Sequence, residues 1–168
     1  MFIDETGVNQ DMTRNYARSL VGDRALSLKP CSKGKRITLV AGISKDGMVG
    51  SFIFQGYMDN CVFNFYVSEV LLKDIEKGSV IFMDNASVHK SSELENIIRS
   101  KGCYLVYLPR YSPEFNPIEM AWSKIKSYVR GKNPRTLQEV EQSLMQAIRT
   151  ITTQDSINYI KHAGYSIT

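Results

Sequence analysis

The apolar run Val80-Ile81-Phe82-Met83 stops at Asp84 and constrains the fold more than any other stretch of this 168-residue chain. A short continuous apolar run reads as a strand covered on both faces, the usual condition in a parallel sheet. A carboxylate at the carboxyl end of such a strand sits where ligand sites form in open α/β sheets. A second run, Met1-Phe2-Ile3, ends in the same way at Asp4. A third acid, Glu119, stands at the start of a helix opened by Asn116-Pro117-Ile118, and the 34 residues 85–118 separate it from Asp84. Asp4, Asp84 and Glu119 are therefore expected to meet at one rim of a sheet, as a metal site for phosphoryl transfer on nucleic acid.

The remaining chain fits around those strands. Met1 to Glu5 reads as the first strand, and side chains alternate along it, so only one of Asp4 and Glu5 can join the site; Asp4 is the choice. Residues 8–35 have no clean period and read as a long basic loop with at most one helical turn. The segments 36–44 and 48–55 are apolar and β-branched, and Lys45-Asp46-Gly47 between them signals a hairpin. A helical stripe of Phe63, Tyr66, Val67, Val70 and Leu71 predicts a helix over 60–77 that Gly78 stops. After the strand that ends at Asp84 come a helix over 91–100, a strand over 103–108, a loop over 110–115 and a helix over 117–130. One or two further helices begin near Thr136. This order implies a mixed sheet with helices on both faces.

Charge is segregated along the chain, although the formal net charge is only +4. From Arg14 to Arg36 seven basic residues face the single acid Asp23, and from Lys101 to Arg135 seven more face Glu114 and Glu119. A basic face for an anionic partner follows. Cys31, Cys61 and Cys103 are in no metal-binding pattern, which predicts a reduced, intracellular setting and makes zinc improbable. No apolar run is long enough to span a membrane, and the N-terminus is unlike a signal peptide. The chain starts inside a core strand, so an N-terminal portion missing from this chain or encoded elsewhere is expected. Gly-rich phosphate loops, G-x-S-x-G elbows and dinucleotide fingerprints do not occur.

Each acid has a plainer role to weigh. Asn116-Pro117-Ile118-Glu119 is a capping sequence, with Glu119 placed to reach back to the N-cap amide. Yet Glu119, Ser123, Lys126 and Arg130 share one side of that helix, while Ile118, Ala121, Trp122, Ile125 and Val129 form its buried stripe. Asp84 alone could be an Asx-turn. Three converging carboxylates are different, because each like-charge pair at 4 Å costs on the order of 4 kcal/mol at an effective dielectric near 20. Either one protonates or a cation sits between them. Oxygen ligands suit two Mg2+ or Mn2+ ions. His89 either contacts the scissile phosphate or simply begins the next helix. Tyr104 and Tyr107, in a strand, read as core rather than as base-stacking groups.

Three blocks then resemble a known family. They are Phe2-Ile3-Asp4-Glu5, the stretch Met83-Asp84-Asn85-Ala86-Ser87-Val88-His89, and the stretch from Leu108-Pro109-Arg110-Tyr111-Ser112-Pro113 through Asn116-Pro117-Ile118-Glu119 to Trp122. Together they resemble the DDE transposases, more closely the mariner superfamily and its bacterial insertion-sequence relatives, over nearly the whole chain to about Arg130. The resemblance implies a ribonuclease-H-like five-stranded sheet and a metal-binding catalytic triad of Asp4, Asp84 and Glu119. It also implies water-mediated cleavage of DNA ends followed by attack of a 3′-hydroxyl on target DNA. Residues 1–168 would be one catalytic domain, without the helix-turn-helix modules of relatives and with Tyr16 where they often carry tryptophan. The expected DNA contacts are Arg14, Arg18, Lys33, Lys35, Arg36, Asn85, His89, Lys90, Arg110, Lys126 and Arg130. The partners would be transposon-end and target DNA, with a homodimer for synapsis; in a bacterium the setting would be cytoplasmic, at the nucleoid. A non-catalytic DNA-binding fragment and a ribonuclease-H-like nuclease are the alternatives.

Overall fold

The computed structural model describes all residues except Asn15, Ser27, Lys29, Ser87, Val88 and Thr168. Its centre is β1 (Phe2–Asn9). On one side β1 pairs antiparallel with β2 (Arg36–Ser44), which pairs antiparallel with β3 (Gly47–Gln55). On the other side β1 runs parallel to β4 (Val80–Met83), and β4 runs parallel to β5 (Tyr104–Tyr107). The sheet order is β3-β2-β1-β4-β5. This is the mixed five-stranded sheet of the ribonuclease-H-like fold, and it sets the carboxyl end of β4 beside the amino-terminal part of β1, with Met83 opposite Ile3.

Alternation along β1 divides two cores. Phe2 and Val8 pack with Ile37, Leu39, Ala41 and Ile43 of β2 against α4 (Ile118–Lys132), α5 (Leu137–Ile148) and α6 (Thr153–His162). Ile3 faces the opposite way, with Val40, Ile81 and Met83, against the helical segment 60–74 and α3 (Ser92–Ser100). The first of these segments is not the single helix that periodicity predicts. It consists of α1 (Asn60–Tyr66), a π-turn at Val67–Leu71 and the short α2 (Leu72–Asp74), and it ends before Ile75 rather than at Gly78. The extra residue in the π-turn shifts the helical phase, so that Phe63, Tyr66, Val67, Leu71 and Leu72 all reach the core.

Other expectations also change. β1 runs four residues beyond Glu5, because 6–9 pair with 36–39 of β2. Among the described residues of 10–35 there is no helix. Tyr104 is exposed and Tyr107 only half-buried, since β5 is the sheet edge and covers one face rather than two. Of the predicted motif positions, Ser87 and Val88 lie outside the described residues, as does the basic-loop residue Lys29. No helix among the described residues is long and apolar enough to cross a membrane.

Candidate active site

Asp4 lies on the α4 face of β1, nine-tenths buried. The indole Nε1 of Trp122 donates to its Oδ2 across 3.0 Å. Trp122 comes from the second turn of α4, three residues after Glu119, so one helix supplies both an acid and the donor that fixes another acid. Burial pushes the Asp4 carboxyl up to about 7; the charge of Glu5 and, more weakly, of Glu119 pushes the same way, against the Trp122 hydrogen bond. Glu119 itself is exposed and makes no side-chain hydrogen bond among the described residues.

The predicted capping box is not formed. Pro117 occupies the N-cap of α4, with no side-chain cap bond, and Asn116 Oδ1 is buried without a partner. A cap is worth about 1 kcal/mol, whereas burying Ile118, Ile125 and Val129 contributes about 1.5–3 kcal/mol each, so packing fixes the helix without it. Glu119 is thereby left for the cavity in front of it.

Asp84 follows directly on the end of β4 and is half-exposed. Its Oδ1 accepts from Ala86 N at 3.0 Å and lies 2.5 Å from His89 Nδ1. The other ring nitrogen, Nε2, lies 3.1 Å from Glu5 Oε2. A neutral imidazole donates from one nitrogen only, so two carboxylates favour the doubly protonated ring. These bonds and charges outweigh the opposing burial and hold His89 up at about 10, while the His89 bond holds Asp84 below the usual carboxylate range. The expectation that His89 touches a phosphate is corrected here: the ring is fully buried, 4.4 Å from Phe63 between ring centroids, with both nitrogens taken.

Asp4, Asp84 and Glu119 line one cavity of about 530 Å³, together with Asn85, Asn116, Lys90 and Arg110 and a wall of Leu108 to Pro113. As placed, no three His, Cys, Asp or Glu side chains among the described residues group closely enough to hold one ion. The donor chemistry nevertheless fits a hard cation. Three carboxylates surround the space, and Asn85 Oδ1 and Asn116 Oδ1 are two further buried acceptors with no partner. A buried unpaired acceptor costs about 1–3 kcal/mol, which a cation or its bound water would offset.

Apart from His89 and Arg36, the expected DNA contacts fall into three groups. Asn85, Lys90 and Arg110 border the cavity. Lys126 and Arg130 continue along α4, about 10 and 16 Å from Glu119 by helical rise. Arg14 lies against Gly131 at the far end of that helix, with Arg18, Lys33 and Lys35 exposed in the same loop. Arg36 stands apart, at the opposite end of β1 from the cavity, with its guanidinium over Gly7 and 4.9 Å from the Tyr57 ring centroid. Sequence reasoning missed Trp122 and Glu5 as parts of the site. The three-residue step from Glu119 was the available signal for Trp122; nothing local marks Glu5.

Comparison with known proteins agrees with this fold. The family model for the DDE superfamily endonuclease matches residues 1–141, and the chain belongs to that family. Among solved structures, the Mos1 transposase paired-end complex with left transposon end superposes with a TM-score of 0.79 at 14% identity, over 95% of this chain and 50% of that one. The Mos1 mariner paired-end complex with Mn gives 0.77 at 14% identity, over 95% and 51%. The catalytic domain of Mos1 mariner transposase gives 0.64 at 12% identity, over 76% and 68%. This chain thus spans about half the length of the first two. A search of curated proteins by sequence found no match.

Proposed function

We propose that residues 1–168 are the catalytic domain of a DDE transposase, which cleaves DNA strands at transposon ends and joins the freed 3′-hydroxyl to target DNA. The observation that carries this reading is the cavity where Asp4 of β1 and the end of β4 meet the start of α4: three carboxylates and two asparagines line it together with Lys90 and Arg110. A phosphodiester together with divalent cations matches that distribution of charge. Asp4, Asp84 and Glu119 would hold two Mg2+ or Mn2+ ions, which when bound activate the attacking oxygen and stabilise the leaving one.

The chain's own groups supply the rest. Trp122 holds Asp4 in place, and Lys90 and Arg110 attract the phosphate. Lys126 and Arg130 carry the backbone along α4, giving affinity without reading sequence. Recognition of end sequences would fall to modules outside 1–168. The paired-end Mos1 complexes support transposon ends as the DNA partner, and a homodimer is the simplest way to hold two of them. Such a reaction belongs in an intracellular compartment that holds DNA.

Nicking of supercoiled plasmid tests the proposal. The wild type is expected to nick with Mn2+ and to stop with a chelator, and Asp4→Asn, Asp84→Asn and Glu119→Gln should each lose at least about 100-fold. Salt-dependent DNA binding with no metal-dependent nicking would instead identify a DNA-binding fragment. Faster cleavage of an RNA–DNA hybrid than of duplex DNA would identify a ribonuclease-H-like nuclease.

A further inference from the structure

We propose that Glu5 and His89 are positioning residues for Asp84: they fix its Oδ1 and so present Oδ2 to the cation in the cavity. The inference rests on the metal site proposed above and deepens it. Glu5 follows Asp4 in β1 but points to the opposite face of the sheet, where its Oε2 reaches the His89 ring. The ring is held on several sides. Phe63 lies against it, Tyr107 Oη donates to the His89 carbonyl at 2.8 Å, and His89 N donates to Ala86 O at 3.1 Å. A buried ring so confined has little freedom to follow Asp84, so Asp84 must follow the ring.

Both hydrogen bonds to Asp84 fall on Oδ1, from Ala86 N and from His89 Nδ1, and Oδ2 has no hydrogen-bond partner among the described residues. The carboxylate is therefore pre-set to offer a single oxygen. That matters in a site built at a strand end, where β4 stops at Met83 and the Asp84 backbone has no ladder partner to hold it. Groups that orient a metal ligand from behind change metal affinity about 10–100-fold when removed. Glu5 is the outermost member of the chain Glu5–His89–Asp84, with its side chain 22% exposed, so it can be changed with little loss of packing.

Isothermal titration calorimetry of the metal-free chain with MnCl2 tests this, with unfolding monitored in parallel. Glu5→Ala is expected to weaken Mn2+ binding about 10–100-fold while the variant remains folded. Glu5→Gln keeps a hydrogen-bonding group at the same reach and is expected to stay within about threefold of the wild type. If Glu5→Ala does not fold, Glu5→Ser, which admits water beside Nε2, takes its place with the same expectation. Unchanged or tighter Mn2+ binding in the alanine or serine variant overturns the inference. So does Glu5→Gln binding as weakly as Glu5→Ala, because Glu5 would then act through its charge rather than by position. A folded wild type that binds no Mn2+ overturns the proposed metal site and this inference with it, whereas a wild type that binds Mn2+ no better than its Glu5 variants overturns the inference alone.

Discussion

Asp4 is placed where its charge is costly: nine-tenths buried, beside two other acids, with one indole N–H as its donor. Its pKa of about 7, raised from 3.8, means that the folded chain keeps a proton that the unfolded chain releases. Stability from this group is therefore fully present below about pH 4 and is lost as pH rises to about 7. Asp4→Asn should raise stability at pH 8 without metal, by up to about 4 kcal/mol, and the gain should fade towards pH 4; urea unfolding at the two pH values measures it. Glu119 gives the contrasting case. With no cap bond and an exposed side chain, Glu119→Gln should change stability by less than about 0.5 kcal/mol in a thermal melt even though nicking is lost. A drop of 1 kcal/mol or more would return Glu119 to a capping role. Asp84 and Glu119 were legible in the sequence because a strand end and a helix start are local signals; Asp4 was chosen on the same ground, although β1 continues past it to Asn9. Trp122, Glu5 and His89 were not, since their roles depend on which face of β1 meets which helix.

The β2–β3 hairpin shows how an element shapes the rim. Its turn is formed as Lys45-Asp46-Gly47 predicts, with Gly47 at φ +133°. Farther on, the register shifts between Val40 and Gly42: Val40 pairs with Phe52, but Gly42 pairs with Val49. β3 therefore carries Gly50 and Ser51 opposite Ala41 alone, a bulge with Gly50 at φ +56°. Ala41 pairs on its other side with Asp4, so the bulge lies one strand away from the site. Gly50→Ala should cost about 1–2 kcal/mol in chemical denaturation, since an added Cβ takes a left-handed φ and comes 3.3 Å from the Leu71 backbone. A neutral substitution would mean that the bulge relaxes freely. The hairpin could be read from Asp46-Gly47, but the bulge depends on a mismatch between two strands that neither shows alone. The π-turn at 67–71 escaped for a similar reason: it exists to bring Leu71 and Leu72 into one core.

Across the whole molecule, basic side chains follow α4 from its first turn to its last. Lys90 and Arg110 stand at the cavity by its first turn, and Arg14 lies at its last. Lys124 is not part of this track, because it bonds Asp155 Oδ2 at 2.7 Å and the Thr150 carbonyl at 2.8 Å, tying α4 to α6. Binding to random duplex DNA should weaken steeply with salt. Arg130→Ala should lower the slope of log K against log salt by about 1 without changing sequence preference, as fluorescence anisotropy would show. An unchanged slope would remove Arg130 from the track. The order of elements along the chain and the basic segments were legible in advance, but the separation of Arg36 from the others was not, because only the antiparallel pairing of β1 and β2 carries it to the far end. The central claim is that Asp4, Asp84 and Glu119 form one cation site, and the most direct measurement is the thermal midpoint against Mn2+ for the wild type and Asp84→Asn. The wild type should gain about 2.7 kcal/mol at a hundredfold excess over its dissociation constant, while the variant should not respond. A wild type indifferent to Mn2+, or a variant that responds equally, would contradict that claim.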